Sequence, residues 1–178
     1  MRHLQGDDFL GLFRSDWRRA FHFEAQDTYN VSDEAEPLRK FRAGESDDYE
    51  WCREWDDLIK EQTGQGKIVQ RVRMVSVPPV EYTRFGITVA PLNISAGEDV
   101  RWLPRPLIDP SELAHDDYWL FDENLVAFVI FRADGDASGV AVSDDPVLVG
   151  HCIAVRDRVW KLALPHDDYV RSEYSSAE

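Results

Sequence analysis

The stretch LVAFVIF, residues 125–131, decides the fold. All seven positions are apolar, whereas a strand with one face in water alternates apolar and polar residues. A strand without alternation is explained by burial on both faces, which requires layers above and below the sheet. The stretch therefore predicts a three-layer α/β arrangement, with a mixed β-sheet flanked by helices.

Four strands are predicted to share this sheet. They are residues 67–77, 99–103, 118–122 and 125–131. A helix at 79–90, ending at Pro91, connects the first two as a strand-helix-strand unit, and the last two form a hairpin.

Two helices are predicted to pack on the sheet, because apolar side chains recur at helical spacing in residues 49–63 and 145–164. Asp144 or Asp145 provides an N-cap for the second helix. The segment 19–29 alternates apolar and polar residues, which predicts a half-buried strand.

The chain length of 178 residues suits one domain. We expect residues 1–165 to form a single α/β domain and residues 166–178 to be a polar C-terminal tail.

Composition excludes several classes of function. The formal charge of -14 disfavours direct binding to nucleic acid and suits a basic protein partner. No apolar run is long enough to span a membrane and no signal peptide is recognisable, so we expect a cytoplasmic protein with no membrane partner. Cys52 and Cys152 lie far apart with no CxxC pairing, which indicates reduced packing residues.

The segment HDDYWLFD, residues 115–122, resembles half of a phospholipase D catalytic site. That superfamily places a lysine two residues after its histidine and an aspartate seven residues after it. His115 and Asp122 keep this spacing, but Asp117 occupies the lysine position and would repel a phosphate. An active phosphodiesterase is therefore disfavoured, although His115, Asp117 and Asp122 stay candidate catalytic residues for acid-base chemistry.

Neither a metal nor a cofactor is predicted. His115 and Asp117 form a lone His-x-Asp pattern on extended chain, which is a weak metal signal. No glycine-rich phosphate loop, HExxH motif or Ser-His-Asp order is present.

Arginines supply the candidate binding site. Arg71 and Arg73 point to one face of their strand, and Arg101 lies on the next strand of the same crossover. Tyr118 and Trp119 are close enough to line a pocket with them. Two alternatives stay open: a small anionic ligand at the carboxyl ends of the strands, or internal pairing with carboxylates such as those of Glu98, Asp99, Asp117 or Asp122.

Three short motifs carry a family resemblance. They are Arg71-Val72-Arg73, Ala96-Gly97-Glu98 and Trp119-Leu120-Phe121-Asp122. With their flanking sequence they resemble a bacterial family with a domain of unknown function, found near helix-turn-helix regulators. The resemblance implies signalling or regulation and assigns no catalytic residue. The strand order is also similar to a degenerate phospholipase D-like half domain, which is an analogy of fold.

The leading hypothesis is a small regulatory or ligand-sensing module that acts with a protein partner, namely a DNA-binding regulator of the helix-turn-helix type. The alternative is an enzyme, either a relict phosphodiesterase or a small acid-base isomerase acting on a sugar or similar metabolite.

Overall fold

The structure, a computed structural model, describes residues 1–112 and 116–176. Within these residues the chain forms eight strands and seven α-helices. The strands are β1 (Arg2–Leu4), β2 (Arg19–Glu24), β3 (Ile68–Val75), β4 (Glu98–Pro104), β5 (Tyr118–Phe121), β6 (Leu125–Phe131), β7 (Ala137–Ser143) and β8 (Leu164–Pro165). The helices are α1 (Gly6–Phe13), α2 (Ala35–Ala43), α3 (Arg53–Gly64), α4 (Glu81–Ser95), α5 (Pro146–Leu162), α6 (His166–Arg171) and α7 (Glu173–Ser176).

All eight strands join one mixed sheet in the order β1-β7-β6-β5-β2-β3-β4-β8. The pairs β2-β3 and β3-β4 are parallel, and the other neighbours are antiparallel. The prediction of a single α/β domain with a mixed sheet is confirmed, and the four predicted strands all lie in this sheet. Strand β2 is central, because it joins the parallel part to the antiparallel part.

Helices cover both faces of the sheet. On one face, here called the α5 face, α5 packs its buried residues against apolar side chains of β2 to β6. On the opposite face, here called the cavity face, α1 and α3 cover one part of the sheet, and α4 and α6 cover another. Two helical layers around one sheet are the arrangement that the apolar stretch 125–131 predicts.

Helix α5 begins where the sequence indicates. The Asp145 side chain accepts hydrogen bonds from the backbone N–H groups of Val147 and Leu148, at 2.9 and 3.2 Å, and Pro146 occupies the first turn. This is the standard N-cap arrangement, which satisfies backbone donors that have no partner within the helix.

The apolar strand β6 is less buried than predicted. Val126 and Ala127 are fully buried, whereas the residues from Phe128 to Phe131 are half-buried. Val129 and Phe131 face a cavity and are therefore apolar without being enclosed by the core. The sequence pattern alone does not distinguish a cavity wall from a core.

Strand β2, in contrast, is more buried than predicted. It ends at Glu24, and five of its six residues are buried, including the polar residues His22 and Glu24. A strand with neighbours on both sides and a covered face cannot expose its polar residues to bulk water, so these two side chains lie inside the protein.

Helix α4 continues through Pro91 to Ser95, so the predicted end at Pro91 is wrong. Proline removes one backbone hydrogen bond from a helix interior. The turn after Pro91 is nevertheless held by packing, because Asn93 is buried and donates a hydrogen bond from Nδ2 to Asp56 Oδ1 at 3.3 Å. Tertiary contacts here outweigh the local preference.

The C-terminal segment also packs on the sheet. Residues His166–Arg171, expected to belong to a polar tail, form α6. Tyr169 is fully buried, and its ring stacks on that of Trp102 with centroids 5.2 Å apart.

Among the helices of the described residues, none has the length and apolar character needed to cross a bilayer.

Candidate functional site

A cavity of about 530 Å³ opens on the cavity face, above the centre of the sheet. Strands β2, β3 and β5 contribute its polar floor, while β6, β7, α1 and the segment 29–34 contribute its walls. The charged or imidazole side chains that line it are His22, Glu24, Glu34, Arg71, Arg73, Asp117 and Arg132. The aromatic side chains that line it are Phe9, Tyr29, Tyr82, Trp119 and Phe131.

Arg71 is a buried charge in the floor of the cavity. Its Nε and Nη2 atoms donate to the two carboxylate oxygens of Glu98, at 2.8 and 3.1 Å, and Nη1 donates to Glu24 Oε1 at 2.5 Å. Trp55 donates a further hydrogen bond to Glu98 at 2.7 Å. A buried ion pair is tolerated when its hydrogen bonds are satisfied in this way.

Arg73 shares Glu24 with Arg71. Its Nε atom lies 2.6 Å from Glu24 Oε2, but the N–H bond is not aligned for a hydrogen bond, so the contact is an ion pair. Burial alone would raise the pKa of Glu24, but Arg73 and Arg71 outweigh burial and lower that pKa to about 2. Glu24 is therefore ionised across the physiological range, and it links the two arginines.

His22 lies beside this network without joining it. The residue is 9% exposed, and neither ring nitrogen has a hydrogen-bond partner among the described residues. Its ring stacks on Trp119, with centroids 4.1 Å apart and planes inclined by 12°. Burial lowers the pKa of His22 to about 3, although Glu24 acts in the opposite direction. The imidazole is thus neutral at pH 7 and offers one donor and one acceptor.

Asp117 is a second kind of carboxyl in the cavity wall. It accepts a hydrogen bond from the Tyr29 hydroxyl at 2.5 Å and one from the backbone N–H of Ala25 at 2.9 Å. Burial raises the pKa of Asp117 to about 6, against the lowering effect of these hydrogen bonds. A carboxyl with such a pKa exchanges protons close to neutral pH.

Glu34 repeats this arrangement with Tyr82 as the donor. The Tyr82 hydroxyl donates a hydrogen bond to Glu34, and the rings of Tyr29 and Tyr82 are in contact at 5.8 Å. Burial raises the pKa of Glu34 above its usual range. Two carboxyls are thus each held by a tyrosine hydroxyl, which is a neutral donor.

Four of the predicted site residues converge on the cavity. Arg71, Arg73, Asp117 and Trp119 all line it. The sequence also names Glu98 among the internal carboxylate partners, and Glu98 indeed binds Arg71.

Arg101 and Tyr118 lie on the α5 face instead. In the parallel pairing of β3 and β4, Arg101 is opposite Val72, so its side chain points away from Arg71 and Arg73. Its guanidinium carbon lies 3.8 Å from the centre of the Trp160 ring, and Asp99 is its ion-pair partner. Tyr118 is fully buried and donates a hydrogen bond from its hydroxyl to the Cys152 carbonyl at 2.9 Å.

Asp117 and Asp122 do not meet. They flank β5 at opposite ends, about 17 Å apart at the usual rise of a strand. Asp122 accepts hydrogen bonds from the backbone N–H groups of Arg18 and Arg19 and so holds the beginning of β2. His115 lies outside the described residues. Asp117 and Asp122 therefore do not form an acid-base pair with each other.

Sequence reasoning missed five residues of the cavity, namely His22, Glu24, Glu34, Tyr29 and Tyr82. One signal was available: β2 and β3 both carry ionisable residues at alternate positions, His22 and Glu24 on one and Arg71 and Arg73 on the other. Two adjacent buried strands with polar residues on the same face indicate a polar site. The register pairs His22 with Arg71 and Glu24 with Arg73.

The cavity shows hydrogen-bonding groups rather than a metal-binding arrangement. Among residues 1–112 and 116–176, no group of three or more His, Cys, Asp or Glu side chains could hold a metal ion. The chemistry that the wall offers is acceptance and donation of hydrogen bonds, ion pairing, and contact with aromatic faces.

Comparison with known protein families identifies the family of the chain. Residues 7–171 match the family model described as "Domain of unknown function (DUF6879)", and because the match covers most of the chain, the protein belongs to this family. No curated protein matches the sequence.

Proposed function

We propose that this DUF6879 protein is a ligand-sensing module whose cavity binds a small molecule. The observation that supports this most directly is His22, a buried imidazole in the cavity floor with no hydrogen-bond partner among the described residues. The cavity volume of about 530 Å³ also falls within the usual range of small-molecule sites.

An unpartnered buried polar group is costly, typically about 1–3 kcal/mol. A ligand that satisfies His22 recovers part of that cost on binding, so the free energy stored in the unliganded site favours occupancy. Trp119 fixes the ring orientation by stacking, which limits the entropy lost when a ligand binds.

The proposal includes a protein partner that responds to the ligand. With a formal charge of -14, the chain suits a basic partner, and DNA-binding regulators are commonly basic. The family resemblance to proteins found near helix-turn-helix regulators points to the same class. A tagged chain recovered from its native cells should co-purify with such a regulator. Recovery of the chain without any DNA-binding protein would argue against this part of the proposal.

Cavity binding is tested with two matched tryptophan variants. Val129→Trp places a large ring in the cavity, whereas Val147→Trp makes the same change on α5 at a residue that is 77% exposed. Thermal unfolding of both variants and the wild type is measured against a library of amines, carboxylates, sugars and phosphorylated metabolites.

A ligand at one hundred times its Kd stabilises the folded state by about 2.7 kcal/mol, which is roughly 5–10 °C in Tm for a chain of this size. We expect such a shift for the wild type and Val147→Trp and none for Val129→Trp. A library without any stabilising compound, or a shift that Val129→Trp retains, would exclude the cavity as the ligand site.

An enzyme is the second candidate, and Asp117 is the observation in its favour. Its pKa of about 6 suits a general acid or base, and it lies in the wall of a cavity. If a ligand is converted to product, Asp117→Asn should abolish its turnover. If the ligand is recovered unchanged after long incubation with the wild type, catalysis is excluded for that ligand and the sensing function remains.

A further inference from the structure

Two carboxyl groups that line the cavity keep free acceptor capacity. Asp117 and Glu34 each receive a hydrogen bond from a tyrosine, yet neither forms an ion pair with any residue that the structure describes. A carboxylate retains acceptor capacity after one or two hydrogen bonds. Both groups therefore have acceptor sites left for a bound molecule.

The positive charges of the floor are already matched. Arg71 pairs with Glu98 and Glu24, and Arg73 pairs with Glu24. The two arginines and these two glutamates sum to no net charge. Arg132, the remaining arginine of the lining, pairs with Asp136 at 3.1 Å. A carboxylate or phosphate entering the cavity would therefore find little uncompensated positive charge, and it would approach Asp117 and Glu34.

The free atom of His22 is also an acceptor. Its Nδ1 atom faces the ionised Glu24 carboxylate, 3.4 Å from Oε1, which favours the tautomer with the proton on Nδ1. Nε2 is then unprotonated, and it has no hydrogen-bond partner within the described part of the chain. A ligand would satisfy Nε2 by donating a hydrogen bond, and because Nε2 is buried, a neighbouring side chain must shift to admit that donor.

Aromatic faces complete the wall. The Tyr29 ring contacts both Tyr82 and Phe131, with centroids 5.8 Å apart in each pair. Aromatic faces attract cations, with energies of about 0.5–2 kcal/mol for each well-placed contact. Acceptors and aromatic rings together form the environment that recognises protonated amines.

From these features, and resting on the proposed ligand-binding function, we infer that the cavity takes a small organic cation with N–H donors, such as an amine or a guanidine on an apolar body. The cationic group lies beside Asp117, an N–H group donates to His22 Nε2, and the apolar body contacts the Tyr29 and Phe131 rings. Glu34 provides a second carboxyl for a ligand with two donor groups.

The competing ligand is a small anion bound by Arg73. Arg73 has terminal nitrogens that make no hydrogen bond to the described residues, and this is the feature in the anion's favour. Its charge is nevertheless engaged by Glu24 at 2.6 Å, and an anion there would add negative charge to a cavity with two more carboxyls. A cation beside Asp117 and Glu34 would instead be attracted by both carboxylates.

Three probes that share one aromatic body separate these classes. They are 2-phenylethylamine, which is a cation at pH 7, 2-phenylethanol, which is neutral, and phenylacetate, which is an anion. Calorimetric titration of the full chain at millimolar probe concentrations measures each Kd. We expect the amine to bind at least about tenfold more tightly than the alcohol, and the carboxylate to bind most weakly.

Three amide variants test the position of the cation. Asp117→Asn and Glu34→Gln should each reduce the preference for the amine over the alcohol, while Asp99→Asn, a half-exposed carboxyl on the α5 face, should leave it unchanged. Using two cavity variants keeps the test valid if one of them fails to fold.

The outcomes separate this inference from the proposed function. Preferential binding of phenylacetate or phenylethanol, abolished by Val129→Trp, overturns the cationic ligand and leaves the cavity as a binding site. Equal binding of all three probes also overturns the inference of a cationic ligand. Failure of these probes and of every compound in the metabolite library to bind overturns both.

Discussion

His22 and Trp119 lie face to face at the centre of the sheet, with ring centroids 4.1 Å apart. Register explains the contact, because the antiparallel pairing of β2 with β5 sets these two residues directly opposite each other. A neutral imidazole stacked on an indole is held in orientation by packing and by the nearby Glu24 carboxylate, and its buried Nε2 atom makes no hydrogen bond within the described part of the chain.

Replacing His22 with phenylalanine should separate stability from binding. The His22→Phe variant keeps an aromatic ring stacked on Trp119 and loses two buried nitrogens without partners, so we expect the free energy of unfolding to be unchanged or higher by about 1–3 kcal/mol. Ligand affinity should fall at least tenfold, or about 1.4 kcal/mol. Urea unfolding and calorimetric titration measure the two effects. A large loss of stability would show that His22 has a structural role in the empty protein.

Arg71→Met should destabilise the fold strongly. The variant leaves the buried carboxylates of Glu98 and Glu24 without their main partner, which typically costs about 3–5 kcal/mol. Arg101→Met is the matched control, because Arg101 pairs with a half-exposed Asp99 and stacks on Trp160, contacts worth about 1 kcal/mol. Chemical unfolding of both variants gives the comparison. Equal losses would contradict the assignment of these arginines to different environments.

Those two arginines also show how far the sequence could lead. Alternation within 67–77 correctly placed Arg71 and Arg73 on one face of the sheet. The assignment of Arg101 to the same cluster is wrong, because sequence cannot give the register between two parallel strands, and an offset of one residue moves a side chain to the opposite face. In the structure the pairing of β3 with β4 sets Arg101 opposite Val72.

The remaining site residues depend on contacts that are distant in sequence. His22 and Glu24 looked exposed because the pattern of β2 is that of a half-buried strand. Their burial follows from the position of β2 between β3 and β5, and residue 22 is opposite residue 119. Local periodicity predicts the strand, but it does not predict its neighbours. The layers, by contrast, were predictable because LVAFVIF has no polar face.

Asp117→Asn should change how stability depends on pH. The pKa of Asp117 rises from 3.8 to about 6 on folding, so its contribution to stability is fully present below about pH 4 and is lost as the pH rises through about 6. Lowering the pH from about 7 to about 4 should therefore stabilise the wild type relative to the variant, by about 3 kcal/mol at most. Tyr29, Glu24 and Asp116 act on this carboxyl and are present in both proteins.

Urea unfolding of the two proteins at several pH values tests this expectation. The difference in unfolding free energy cancels the titration of groups that the two proteins share. A difference that stays constant between pH 4 and pH 7, or grows in the opposite direction, would show that folding does not raise the pKa of Asp117.

Gly86→Ala should disturb the position of Arg73. A Cβ atom at Gly86 in α4 would lie 2.7 Å from Arg73 Nη1, so the guanidinium must move. Gly150→Ala in α5 is the matched control, because a Cβ there has no neighbour within 4 Å. We expect Gly150→Ala to raise the free energy of unfolding by about 0.5–1 kcal/mol, because alanine favours the helix. Gly86→Ala should not give this increase.

A double-mutant cycle checks the cause. In the Arg73→Ala background the obstruction is absent, so Gly86→Ala should then stabilise the fold as Gly150→Ala does. The same gain in α4 with Arg73 present would show that the guanidinium has room to shift without loss.

The central position of β2 has a consequence for folding. The β2-β3-β4 unit comes from residues 19–104, and the β5-β6-β7 meander comes from residues 118–143, yet the two join through pairs such as Phe23 with Tyr118. Contacts between residues so distant in sequence close long loops and slow the folding of a chain. The cavity straddles this junction and is complete only after the two units have docked. A bound molecule would therefore slow their separation, and amide hydrogens of β5 and β6 would exchange more slowly although no helix moves.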